Sequence, residues 1–235
     1  MITEAHLQDY RSQGFCVLES ELSRDELQVL ENTCDALLAE DVDDGGGRVH
    51  DIGRGQDRRF LRLRHESYPE LAGFVLGERI GALAKALLGA EPYLFVEQFV
   101  VKGPKTGANF AWHQDSGYVG FEHLPYLSLW ISIDAATEAN GCVPVLPRSL
   151  DGSARVVPHR FDPVNKERVG YDGDDPGIAV ECPPGSIVAF SSLTMHRSGP
   201  NTTDRARRAY LCQYSVEPIL DPDTSEPKHF AKRLA

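Results

Sequence analysis

With 235 residues, 41% of them apolar, the chain can bury a sizeable core and fits one large domain, since all-β sandwiches and barrels often reach this length undivided. Its 35 acidic and 24 basic residues leave a net charge of −11. That balance argues against nucleic acid or an anionic membrane as partner, because both require a basic face. No charged segment followed by an apolar one opens the chain, so no signal peptide is visible. No apolar run approaches the roughly 18 residues of a membrane span. Cys16, Cys34, Cys142, Cys182 and Cys212 are odd in number and scattered, with no Cys-x-x-Cys. They read as reduced core residues of a cytoplasmic protein, not as a zinc site or disulfide frame.

The first third, about residues 1–90, reads as a largely helical scaffold. Thr3 to Gln13 is helix-like, with Leu7 and Tyr10 on one side and Gly14 as the stop. Phe15-Cys16-Val17-Leu18 reads as a short buried strand. Ser23 and Glu26 form a capping box ahead of a helix whose apolar stripe is Leu27, Leu30, Cys34, Leu37 and Leu38. Asp41 to Arg48 is an acidic, glycine-rich loop without the Lys-Ser or Lys-Thr of a phosphate cradle. Arg59 to Arg64 alternates basic and apolar residues as a strand, its arginines either on a solvated face or with one of them reaching an acidic substrate. Leu76 to Leu88 is an amphipathic helix closed by Gly89.

From about residue 91 to 218 the pattern changes to short strands. Tyr93 to Lys102 is strand-like and leads through a Gly/Pro loop to Trp112-His113-Gln114-Asp115. Tyr126 to Asp134, Cys142 to Leu146, Ser186 to Phe190 and Arg207 to Val216 follow as strands, Pro144 requiring an edge or a bulge. Residues 152–177 form a stretch too long for a plain connection, and such loops often bind or cover a ligand. Residues 219–235 read as a surface arm. Many short strands preceded by helices predict a mainly β fold with flanking helices, a jelly roll whose mouth can hold a metal and a small ligand.

The chemistry concentrates in His113-x-Asp115. Side chains two apart on a strand share one face, so an imidazole and a carboxylate become neighbouring ligands for one ion. His196, in Met195-His196-Arg197-Ser198-Gly199-Pro200-Asn201, is the best third ligand. Two histidines and one carboxylate with open positions is the arrangement of non-haem Fe(II) oxygenases. His6, His123 and His159 read as solvated, the last two with the option of touching substrate from a lid.

Together with the Asn140-Gly141-Cys142 turn, Pro184-Gly185-Ser186 and Arg207-Arg208-Ala209, these motifs make the chain resemble the phytanoyl-CoA dioxygenase family of Fe(II)/2-oxoglutarate oxygenases from about Leu7 to Pro218. The resemblance implies a cupin-like double-stranded β-helix. It implies iron ligands at His113, Asp115 and His196, and a 2-oxoglutarate-anchoring arginine at Arg207 assisted by Ser198 and Gln98. It further implies that 2-oxoglutarate and O2 are consumed, with release of succinate and CO2, in hydroxylation, desaturation or cyclisation of a small-molecule metabolite. Asp115 stands where halogenating relatives lack a carboxylate, which disfavours halogenation. Pro147-Arg148-Ser149-Leu150 departs from the family's usual ending of this turn.

Physics asks separately for such an arginine. Its fork and permanent charge suit a free carboxylate, and Arg207 and Arg208 face opposite ways on a strand. Arg207 would share an inward face with Ala209, Leu211 and Gln213. Tyr118 and Trp130 are candidates for the substrate pocket, with core packing as the other reading. Two competing functions stay open: another metal-dependent jelly-roll enzyme, a hydrolase or isomerase, and a non-catalytic binding relative. The first would have no need of the anchor at Arg207 and Ser198, and the second would be expected to lack a ligand.

Overall fold

The helical scaffold begins where the capping signals place it. In the computed structural model, which describes residues 2–39, 49–51, 58–105, 109–148, 155–165 and 167–234, α1 (Glu4–Gln13) is capped by Thr3 and stopped by Gly14 at φ +86°. Strand β1 (Phe15–Leu18) follows. Glu26 N donates to Ser23 Oγ at 3.3 Å and Ser23 N donates to Glu26 Oε2 at 2.8 Å. This closes the capping box of α2 (Arg24–Ala39), which buries Leu27, Leu30, Cys34 and Leu37. Residues 41–48 of the expected acidic loop lie outside the described residues. The chain continues through β2 (Val49–Asp51) and β3 (Arg58–Arg62).

The helix expected over 76–88 starts two residues later and has a predecessor. Helix α3 spans Pro69–Val75 and α4 spans Glu78–Leu88. Gly77 separates them in an extended conformation, where an added Cβ would come 2.3 Å from Gly73 O, closer than a side chain tolerates. Pro69 sits in the first turn of α3, a start signal that apolar periodicity passes over.

The strands then run β4 (Tyr93–Lys102), β5 (Phe110–His113), β6 (Leu127–Ser132), β7 (Val143–Leu146), β8 (Arg160–Asp162), β9 (Glu167–Val169), β10 (Ile178–Val180), β11 (Ile187–Ser191), β12 (Met195–Ser198), β13 (Arg207–Ser215) and β14 (Lys232–Arg233). A large sheet has the order β1-β11-β6-β13-β4-β3-β2, with β14 also on β4, and a small sheet has the order β10-β7-β12-β5. This is the mainly β jelly roll with flanking helices that the sequence predicts. After Leu88 the described residues hold only short 3-10 turns. Pro144 corrects an expectation: β7 lies between β10 and β12, not at an edge. The pairing of β7 with β12 uses Val145 and Leu146, so the proline without an N–H stands at the end of that ladder.

Alternation along the large sheet divides two cores. One face, with Leu129, Ile131, Tyr210, Cys212 and Tyr214, packs on Leu30, Leu71, Ile80 and Ala84 of the helices. The other, with Trp130, Val188, Ala209 and Leu211, meets Val143 and Val145 of the small sheet. All five cysteines are buried and free. The arm is exposed over residues 222–228, and its end is tied down: β14 pairs with β4 and Leu234 is buried beside Gly81. No helix among the described residues is long and apolar enough to cross a membrane.

Candidate metal centre and its cavity

The small sheet brings the two histidines together. Strands β5 and β12 are antiparallel, and His196 is the cross-strand partner of His113. The ring centroids are 4.2 Å apart. His113 Nδ1 lies 2.8 Å from Ala111 O, and His196 Nδ1 lies 3.0 Å from Thr194 O. A carbonyl can only accept, so both Nδ1 atoms carry the proton and both Nε2 lone pairs are left for a metal. Burial, reinforced by His196, holds His113 well below the usual histidine range, in the neutral form that ligation needs.

Strand β5 ends at His113, yet Gln114 keeps an extended backbone (φ −104°, ψ 139°), so the alternation carries through to Asp115. Asp115 Oδ1 lies 3.7 Å from His113 Nε2 and 3.6 Å from His196 Nε2. One ligand atom from each of the three residues falls within 4.8 Å of the others, which suits a single ion. The second carboxylate oxygen is occupied. Asp115 Oδ2 accepts from Ser128 Oγ at 2.6 Å and from Gln213 Nε2 at 2.8 Å. Ser128 and Gln213 therefore turn Oδ1 toward the histidines.

Gln114 fastens the motif from behind and is fully buried. Its side chain donates to Leu193 O at 2.7 Å and to Arg155 O at 3.0 Å, and its Oε1 accepts from Val157 N at 2.8 Å. Its backbone N–H donates to His159 Nε2 at 3.0 Å. His159 is thus committed beneath the motif: a Cβ on Gly117 or Gly170 would come within 2.6 Å of its ring. His123 bonds Phe121 O and Ser116 Oγ. The 152–177 stretch contains the β8–β9 hairpin, tied to β5 by buried Glu167, whose Oε2 accepts from Ala111 N at 2.9 Å. Glu167 also pairs with Arg58 at 2.7 Å. Of the arginines read as solvated, Arg64 is instead buried and Arg59 and Arg62 are half-buried, and Arg58 just before them is buried as well.

The triad opens into a cavity of about 380 Å³ between the sheets, which Gln98, Tyr118, Trp130, Ser198 and Arg207 also line. Arg207 is 1% exposed, and burial pushes it down to about 10. Its Nη2 donates to Gly141 O at 2.9 Å and its Cζ lies 5.4 Å from the Trp130 ring. Its Nε and Nη1 have no partner. Each unpaired buried donor costs about 1–3 kcal/mol, so an anion that accepts from both would be favoured there. Trp130 thus sits at the arginine end, while Tyr118 meets His113 edge-on at 5.4 Å. Lys102, opposite both Arg207 and Arg58 in the sheet, is buried and donates to Gly199 O. Burial, then Arg207 and Arg58, push it down to about 6.

The fold is a jelly roll, and the site is a two-histidine, one-carboxylate cluster in a cavity shared with an arginine that keeps two unpaired donors. The chain belongs to the phytanoyl-CoA dioxygenase family, whose model matches residues 10–209. A 2-aminoethylphosphonate dioxygenase from Uncultured bacterium HF130_AEPn_1 is 32% identical over 146 residues, covering 62% of this chain and 54% of that protein. A probable phytanoyl-CoA dioxygenase of Caenorhabditis elegans is 35% identical over 115 residues, covering 46% of this chain and 36% of that one. The chain therefore spans between a third and just over half the length of these two relatives. Among solved structures, EvdO2 from Micromonospora carbonacea var. aurantiaca complexed with 2-oxoglutarate shares 26% identity, with a TM-score of 0.73 over 99% of this chain and 95% of that one.

Proposed function

We propose that this chain is an Fe(II)- and 2-oxoglutarate-dependent dioxygenase that hydroxylates, desaturates or cyclises a small-molecule metabolite. The observation that carries the reading is that the triad and a buried arginine with two unpaired donors line one cavity. His113 Nε2, His196 Nε2 and Asp115 Oδ1 would hold iron, a nitrogen and oxygen donor set suited to it. Arg207 would take the distal carboxylate of 2-oxoglutarate, with Ser198 and Gln98 beside it. Bound there, iron with 2-oxoglutarate and O2 supplies decarboxylation to succinate and CO2 coupled to oxidation of a C–H bond.

The chain's own residues do the rest. Ser128 and Gln213 hold one carboxylate oxygen so that the other faces the ion, and the Ala111 and Thr194 carbonyls fix the imidazole tautomers. Trp130, Val143 and Leu211 form apolar wall around the anchor and limit water. Asp115 fills a ligand position that a halide would need, which favours oxygenation or desaturation.

The test is to supply iron, ascorbate, 2-oxoglutarate and O2 with candidate metabolites and to follow succinate. Substrate-stimulated succinate, with a product heavier by one oxygen or lighter by two hydrogens, is the expected result. Zinc-supported hydrolysis without 2-oxoglutarate turnover would assign the site to a different class of metal enzyme.

A further inference from the structure

The family match ends at residue 209, but the cavity wall does not. The tail turns back at the end of β4 opposite Lys102: Phe230 N donates to Phe95 O at 2.8 Å, and Lys232 and Arg233 pair with Leu94 and Tyr93. This carries Lys228 and His229 into the lining of the cavity, next to Arg62 of β3. Arg62 Nη2 lies 3.3 Å from His229 Nε2, and Arg62 Nε is buried without a partner. The His229 ring packs on Phe95 at 5.2 Å between centroids, and Lys228 Nζ stands exposed at the mouth, 5.7 Å from the Phe121 ring.

Among the described residues, no carboxylate is within ion-pair distance of Arg62, Lys228 or His229. Asp115 is the one acidic residue among the described residues that line the cavity, and its oxygens face the histidines, Ser128 and Gln213. Glu97 attracts Arg62 but is spent on the backbone N–H groups of Arg64 and His65 and on Tyr210. Burial above all, then Arg62 and Lys228, push His229 down to about 4. A chain with a net charge of −11 thus places basic side chains in this part of the cavity wall, with Asp115 the one acid among the described lining residues. Enclosed charge of one sign focuses the field on ligands of the other. The cavity lining also includes the apolar or aromatic side chains Phe60, Phe95, Val96 and Tyr126.

We propose, resting on the dioxygenase reading above, that Lys228, His229 and Arg62 form an anion-recognition end of the cavity, and that the substrate is a carboxylate or a phosphonate on an apolar body. Arg207 serves the cosubstrate and this cluster serves the substrate. The tail, outside the family match, is then a specificity element.

The experiment is calorimetric titration of protein loaded anaerobically with Fe(II) and saturating 2-oxoglutarate, so that Arg207 is already engaged. The probes are 4-phenylbutyrate and benzylphosphonate, against the neutral 4-phenylbutyramide and the cationic 4-phenylbutylamine. At least one acid should bind about tenfold or more tightly than amide or amine, a difference of roughly 1.4 kcal/mol. Which acid leads separates carboxylate from phosphonate. Lys228→Met with His229→Leu should erase the preference, Arg62→Met should weaken it, and Lys228→Arg should retain it. Equal affinity for acid and amide, including no binding of either, overturns the proposal, as does a preference that survives in the Lys228→Met/His229→Leu variant. Iron content and 2-oxoglutarate affinity of the same preparations test folding and the dioxygenase reading separately. If wild type fails those, that reading falls; if it passes them without an acid preference, only this inference falls.

Discussion

Arg207 and Arg208 are neighbours on one strand with opposite surroundings. Arg208 faces the helices and is saturated: Asp134 accepts from its Nε at 3.1 Å and its Nη2 at 2.8 Å, and Asp35 accepts from its Nη1 at 2.6 Å. Arg207 faces the cavity with a single bond, to Gly141 O, and two unpaired nitrogens. The helix face is satisfied elsewhere too, with Tyr210 donating to Glu97 at 3.1 Å and Tyr214 to Val75 O at 2.6 Å. One side of the sheet is finished by folding alone. The other keeps hydrogen-bonding capacity that only a ligand can use, and the cost of leaving it unused is what makes an anion welcome there.

The largest way to break this contrast is at the triad. His113→Ala or His196→Ala should reduce bound iron, measured by atomic absorption, from about one per chain to near zero, since two remaining ligands rarely hold a catalytic ion. Stoichiometric iron in both variants would dismiss the site. On the helix face, fully buried Leu129 belongs to stability, so Leu129→Ala should cost about 2–5 kcal/mol in urea unfolding and leave iron content unchanged. Arg207→Lys keeps the charge but loses the fork, and 2-oxoglutarate affinity should weaken by about 1.5–3 kcal/mol. Arg208→Lys should leave that affinity alone; a larger loss there would reverse the assignment of the two faces. Gln213→Leu removes one of the two hydrogen bonds that hold Asp115 Oδ2, and iron affinity should fall about 10–100-fold by competition with a chelator.

The smallest expected effect sharpens the contrast through pH. Folding lowers Lys102 from 10.5 to about 6, so between those values the unfolded chain binds a proton that the folded chain lacks. The Lys102 contribution to stability therefore rises with pH across that window, by at most about 1.4 kcal/mol per unit. The stability difference between wild type and Lys102→Met should change in that direction between pH 7 and 9 in the absence of 2-oxoglutarate. A difference independent of pH would mean that Lys102 stays charged in the fold.

Much of this geometry is legible locally. The period of two puts His113 and Asp115 on one face and separates Arg207 from Arg208, and the capping box and Gly14 and Gly89 place helix ends. What escapes is set by partners far away in the chain. Nothing near Gln213 or Ser128 announces that both will grip Asp115, because that depends on β6 and β13 lying side by side. Gln114 reads as a spacer and proves to be a buried clamp, and His159 reads as solvated although its ring acts under that clamp. Pro144 is misplaced at an edge for the same reason, since strand order is not a local property. The tail is polar in composition, yet β14 finds an open stretch of β4. The missed α3 differs: its signal, Pro69, is present and simply weaker than apolar periodicity.

The three candidate ligands do not belong to one layer. Both histidines stand on the small sheet, whereas Asp115 is tied by hydrogen bonds to Ser128 and Gln213 of the large one. An ion held by all three is consequently a rivet through the sandwich. Parting the layers would have to surrender the ion, and surrendering the ion would loosen the layers. Backbone amides of β5 and β12 should therefore report occupancy from a distance, exchanging their hydrogens more slowly in loaded protein than in stripped protein. Depletion of iron would then register as a mechanical change in the scaffold as well as a chemical one.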